Sequence, residues 1–95
     1  VMKIQYSPEA IDDLIRLREF IQVKSPHAAK RVASNILSGI ERLQLFPKIG
    51  LPVERAETEN IRDLFVTNYT VRYLVDQDSI YILRIWHNKE SEKDV

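Results

Sequence analysis

Cysteine is absent from the 95-residue chain, which removes disulfides, thiolate metal sites and cysteine nucleophiles together. A small domain without covalent staples suits a reducing compartment, so the expected location is the cytoplasm. Glycine occurs only at Gly39 and Gly50, leaving no glycine-rich loop to cradle a phosphate. No apolar run approaches the ~20 residues of a membrane span. The N-terminus lacks the apolar centre of a signal peptide, and Met2 is expected as the natural start. Neither sign of charge is in excess: 14 Lys+Arg balance 14 Asp+Glu. Nucleic-acid binders draw most of their affinity from neutralised phosphates, so direct nucleic-acid binding is not expected. Histidine is scarce too. His27 opens a helix, His87 closes a strand, and the pair lacks helical ligand spacing, so neither a metal nor any other cofactor is expected. No serine stands in a nucleophile-elbow context.

What is present builds one α+β domain over residues 1–95, with 44% apolar and 29% charged residues. Met2 to Tyr6 is a short β-compatible run. Ser7-Pro8-Glu9 then supplies an N-cap, a proline at the first helical position and an acid in the first turn. Ala10, Leu14, Leu17 and Ile21, joined by Ile11, form a helical stripe, with Asp12, Asp13, Arg16 and Glu19 on the solvated side. Ser25-Pro26 repeats the start signal. In the second helix Ala29, Val32, Ala33, Ile36, Leu37, Ile40 and Leu43 share one face, and Gly39 marks a close approach by the neighbouring helix. Phe46-Pro47 ends the run, and the short connection folds the two helices into an antiparallel hairpin. Residues 47–60 read as a loop, three strands follow, and 88–95 form a loose polar tail.

The last strand, Ile80 to His87, carries two apolar sets: Tyr81, Leu83 and Ile85 against Ile80, Ile82 and Trp86. A strand apolar on both faces is covered on both. A two-helix hairpin covers only one, so the other face is expected to present an exposed patch that a partner completes. Arg84 lies within this strand and needs compensation. That compensation is either an ion pair with Asp63, a tyrosine-lined network, or a partner surface on which Arg84 is an anchor. Trp86 is read equally as core or anchor, and Arg62 and Arg72 as a solvated face.

Order and spacing of several short motifs carry a family likeness. They are Tyr6-Ser7-Pro8-Glu9-Ala10, Ser25-Pro26-His27-Ala28-Ala29, and Leu43 through Phe46-Pro47 to Gly50. Arg62-x-Leu64, Tyr69-x-Val71-x-Tyr73 and Ile82-Leu83-Arg84-Ile85-Trp86-His87 complete the set. Together they resemble the RelE/ParE toxin superfamily, the ParE branch in particular. The resemblance implies a strand, a helical hairpin and a three-stranded antiparallel meander. It also implies a toxin of a type II toxin–antitoxin pair, bound by a cognate antitoxin. RelE-like members cleave ribosome-bound mRNA with clustered cations and a C-terminal tyrosine. Here Thr70 stands where those nucleases place an arginine, and the tail 88–95 holds no tyrosine. The resemblance therefore implies a non-enzymatic inhibitor of DNA gyrase with no catalytic residues. Arg62, Arg84, Trp86 and His87 are its candidate target- or antitoxin-binding residues. The alternatives are a RelE-like ribonuclease and a non-toxic module that serves only as the antitoxin's co-repressor.

Overall fold

The computed structural model describes residues 1–93. Strand β1 (Lys3–Tyr6) runs into Ser7, whose Oγ accepts from the Ala10 N–H at 3.0 Å and starts α1 (Pro8–Lys24). Ser25 then serves both helices. Its N–H donates to Ile21 O at 2.9 Å to close α1, and its Oγ accepts from Ala28 N–H at 3.1 Å to open α2 (Pro26–Arg42). A one-residue joint of this kind leaves the helices no choice but an antiparallel hairpin. No helix among the described residues is long and apolar enough to cross a membrane.

A two-residue strand, β2 (Leu51–Pro52), follows inside the stretch expected as loop. It is short because proline cannot extend a ladder, and an edge is where proline is tolerated. Strands β3 (Ile61–Val66), β4 (Tyr69–Asp76) and β5 (Ser79–His87) form the expected antiparallel meander. β1 adds in parallel to β5, and the sheet order is β1-β5-β4-β3-β2. Both hairpins use two-residue turns, Thr67-Asn68 and Gln77-Asp78, with Thr67 at φ 52° and Gln77 at φ 50°.

The helices cover one sheet face. Ala10 and Leu17 of α1, with Ile36, Ile40 and Leu43 beside them, pack on Val71, Tyr73, Val75, Ile80, Ile82 and Ile85. Leu37, assigned to the apolar stripe, is exposed instead. Gly39 marks a close approach, but by the sheet and not by α1: a Cβ there would meet Val66 Cγ2 at 2.7 Å.

One irregularity changes the reading of β5. Arg72 pairs with Arg84 but Tyr73 pairs with Ile82, so Leu83 is an extra residue on β5, a bulge that shifts the alternation. Ile80, Ile82 and Ile85 therefore all face the helices. Tyr81 and Trp86 pair with Leu74 and Thr70 on the opposite face. The two-faced apolar pattern came from this shift. The opposite face is also not bare: Thr70, Arg72 and Trp86 are all buried. Residues after β5, expected as a loose tail, return across that face, where Arg72 binds Glu92 Oε2 at 2.8 Å and Lys93 O at 3.4 Å. Positions 94 and 95 of that tail lie outside the described residues.

Candidate functional site

The C-terminal half of β5 extends beyond β1, and its outer edge is closed by side chains. Ser7 N–H donates to Ile82 O at 2.9 Å and Ser7 Oγ to Leu83 O at 2.8 Å. Asp13 Oδ2 accepts from Ile85 N–H at 2.9 Å, and Arg16 donates to Ile85 O at 3.3 Å. Glu90 accepts from His87 N–H at 2.9 Å. One turn of α1 thus does for Ile85 what a neighbouring strand would do, and no free ladder remains there.

Asp13 also holds Arg84 through both oxygens, at 2.9 and 3.0 Å. Burial works against the Asp13 carboxylate, but hydrogen bonds from Arg84, Ile85 and Arg16 outweigh it and keep its pKa below the usual aspartate value. The expected partner of Arg84 was Asp63 or a tyrosine network. Asp63 instead serves Arg72, directly opposite on β4, through two bonds of 2.8 Å. Arg72 also lies 5.0 Å over the Trp86 ring. The bond to Asp63 and then that to Glu92 raise the Arg72 pKa, so its charge is permanent. The solvated-face readings of Asp13 and Arg72 are therefore corrected: both are buried ion-pair members.

Arg62 stands apart on β3. It donates to Lys48 O at 3.1 Å and Gly50 O at 2.7 Å, pinning the turn after α2. Tyr73 Oη accepts from Gly50 N–H at 2.9 Å in the same place, and a Cβ at Gly50 would meet that oxygen at 2.7 Å. Arg62 Nε is buried without a partner among the described residues.

His87 ends β5 on the helix side, paired with Tyr69 and in edge-to-face contact with its ring at 5.0 Å. Its Nδ1 accepts from Lys89 N–H at 3.0 Å, so the neutral ring carries its proton on Nε2. Burial, with Glu90 adding to it, raises the Tyr69 pKa. Both rings line a cleft of about 630 Å³ with Arg16, Leu17, Phe20, Ile21, Lys89 and Glu90. Its lining joins apolar Leu17, Phe20 and Ile21 to charged Arg16, Lys89 and Glu90, a composition suited to an apolar anchor that also carries a polar group. Among the described residues no cluster of three or more metal-ligating side chains occurs.

The four candidate residues thus do not form one site. Arg84 is turned to α1, Trp86 is covered by Arg72, His87 lines the cleft, and Arg62 lies across the sheet. Sequence reading missed Asp13, Arg16, Tyr69 and Glu90. For Asp13 a signal existed: it falls three residues after Ala10 and four before Leu17, on the apolar stripe and not opposite it.

Known proteins agree with this architecture. The family described as ParE toxin of type II toxin-antitoxin system, parDE, matches residues 4–92. Toxin RelE3 of Caulobacter vibrioides is 33% identical over 91 residues, covering 92% of this chain and 95% of that protein. Toxin RelE2 of the same organism is 31% identical over 86 residues, covering 90% and 93%. In fold the chain resembles a solved structure described as the chromosomal ParDE TA system from P. aeruginosa. The TM-score is 0.75 at 22% identity, covering 90% of this chain and 95% of that one.

Proposed function

This chain belongs to the ParE toxin family of type II toxin–antitoxin systems, and from that premise we propose that it inhibits DNA gyrase by binding, without catalysis. A cognate antitoxin neutralises it. The observation that carries this reading is how the arginines of β3, β4 and β5 are used. Arg84 is committed to Asp13, Arg72 to Asp63 and Glu92, and Arg62 to two backbone carbonyls. Cleaving a phosphodiester needs cations directed at the scissile phosphate, and these three are directed inward. Thr70, at the position where RelE-like nucleases place an arginine, is buried and donates to Asn88 Oδ1 at 2.6 Å. A neutral pair therefore occupies that place.

A ribonuclease is the second reading. The RelE names of the two relatives favour it, as does the contact of His87 with Tyr69, two groups able to move protons. Expression in cells tests the choice. Gyrase-dependent DNA breaks that disappear on antitoxin co-expression, with no codon-specific cuts in primer extension of translated messages, are expected. Codon-specific cuts would replace the first reading with the second.

A further inference from the structure

The outer edge of β5 is closed by α1, but the other side of the sheet is not. β2 pairs only with Arg62 and Asp63 of β3. Ile61 gives its carbonyl outward to Val53 N–H at 3.1 Å. Strand alternation then turns the backbone groups of Asp63 and Phe65 outward too. Past Asp63, nothing among the described residues adds to the strand, and Phe65 is 54% exposed.

Beside this open edge sits a carboxylate seat that the chain fills itself. Glu92 places Oε2 2.8 Å from Arg72 Nη2 and Oε1 3.0 Å from Arg55 Nη2. Arg72 and then Arg55 hold its pKa below the usual glutamate value. These groups line one cleft of about 340 Å³ together with Leu51, Val53 and Phe65. Arg55 is 83% exposed, and Glu92 lies in the irregular stretch after β5. If Glu92 leaves, Arg72 keeps its two bonds to Asp63, so the guanidinium is not stranded. The seat can exchange one carboxylate for another without loss of charge pairing.

We infer that Glu92 is a stand-in ligand, and that an extended, acid-bearing segment of the antitoxin displaces it while adding as a strand to the β3 edge at Phe65. The inference rests on the antitoxin-binding reading above. The swap of carboxylates is nearly neutral in energy. The gain comes from new ladder hydrogen bonds and from covering Phe65. The arginine pair selects for acid and the open ladder for an extended backbone, whereas the closed β5 edge offers no open ladder.

Calorimetry and amide exchange on the full chain with its purified antitoxin test this. Glu92→Gln removes the internal competitor and should bind about two- to fivefold tighter, the range of an exposed ion pair. Arg55→Glu should bind at least about fivefold weaker, because like charges then meet in the seat. The Phe65 amide should exchange freely in the isolated protein and become protected in the complex. Unchanged melting temperatures of the free variants would confirm that both are folded. A parent complex in which both variants bind like the parent and Phe65 stays unprotected overturns the inference and leaves the antitoxin reading intact. So does weaker binding by Glu92→Gln. No complex with the parent chain overturns both.

Discussion

Asp13 binds Arg84 at 2.9 and 3.0 Å and the Ile85 N–H at 2.9 Å, so removing it takes two charge-assisted bonds from Arg84 and the acceptor from a buried backbone donor at once. Breaking a buried pair costs ~3–5 kcal/mol, and the 22% exposure of the Arg84 side chain places Asp13→Ala near the low end, about 3 kcal/mol. Urea denaturation reads this directly. The effect also depends on pH with a definite sign. The folded pKa of Asp13 is depressed, so its contribution is present above the unfolded value of about 4 and fades as pH falls through the folded one. The stability gap between parent and Asp13→Ala should therefore be constant from pH 7 to 5 and shrink below about pH 4. A gap that widened on acidification would mean the pairing is misassigned.

At the level of elements, the β3–β4 hairpin carries a β-branched residue, Thr67, at φ 52°. The left-handed region costs such a residue roughly 1–2 kcal/mol, and glycine avoids this at some entropic expense. Thr67→Gly should therefore stabilise the domain by up to ~1 kcal/mol, seen as a higher melting temperature. A lower one would show that the threonine contributes more than it costs. In α2, Ile36 is 1% exposed and packs in the common core. Ile36→Ala should cost ~2–5 kcal/mol through lost transfer energy and a cavity. An unchanged denaturation midpoint would misplace the helix on the sheet.

At the scale of the whole molecule, helices, hairpin and meander were legible because serine caps, prolines and 3.6-residue periodicity act locally. The bulge at Leu83 was not, because a period-2 pattern cannot show a residue inserted against a partner strand, and every face assignment after it was reversed. The ion pairs were equally hidden. Asp13 and Arg84 are 71 positions apart, and only the crossing of α1 over the β5 edge joins them. The tail, polar and without periodicity, gave no sign that Glu90 and Glu92 return to Arg16 and Arg72. Fold and family were thus readable from the chain, whereas the use of each arginine required the assembled sheet. That use is also what the proposed function depends on, since Arg62, Arg72 and Arg84 are each engaged within the fold. The most direct test is ATP-dependent supercoiling of relaxed plasmid by purified gyrase in the presence of this protein. The account predicts dose-dependent loss of supercoiling, restored by stoichiometric antitoxin. Full gyrase activity at excess toxin, with the protein folded and still binding antitoxin, would contradict it.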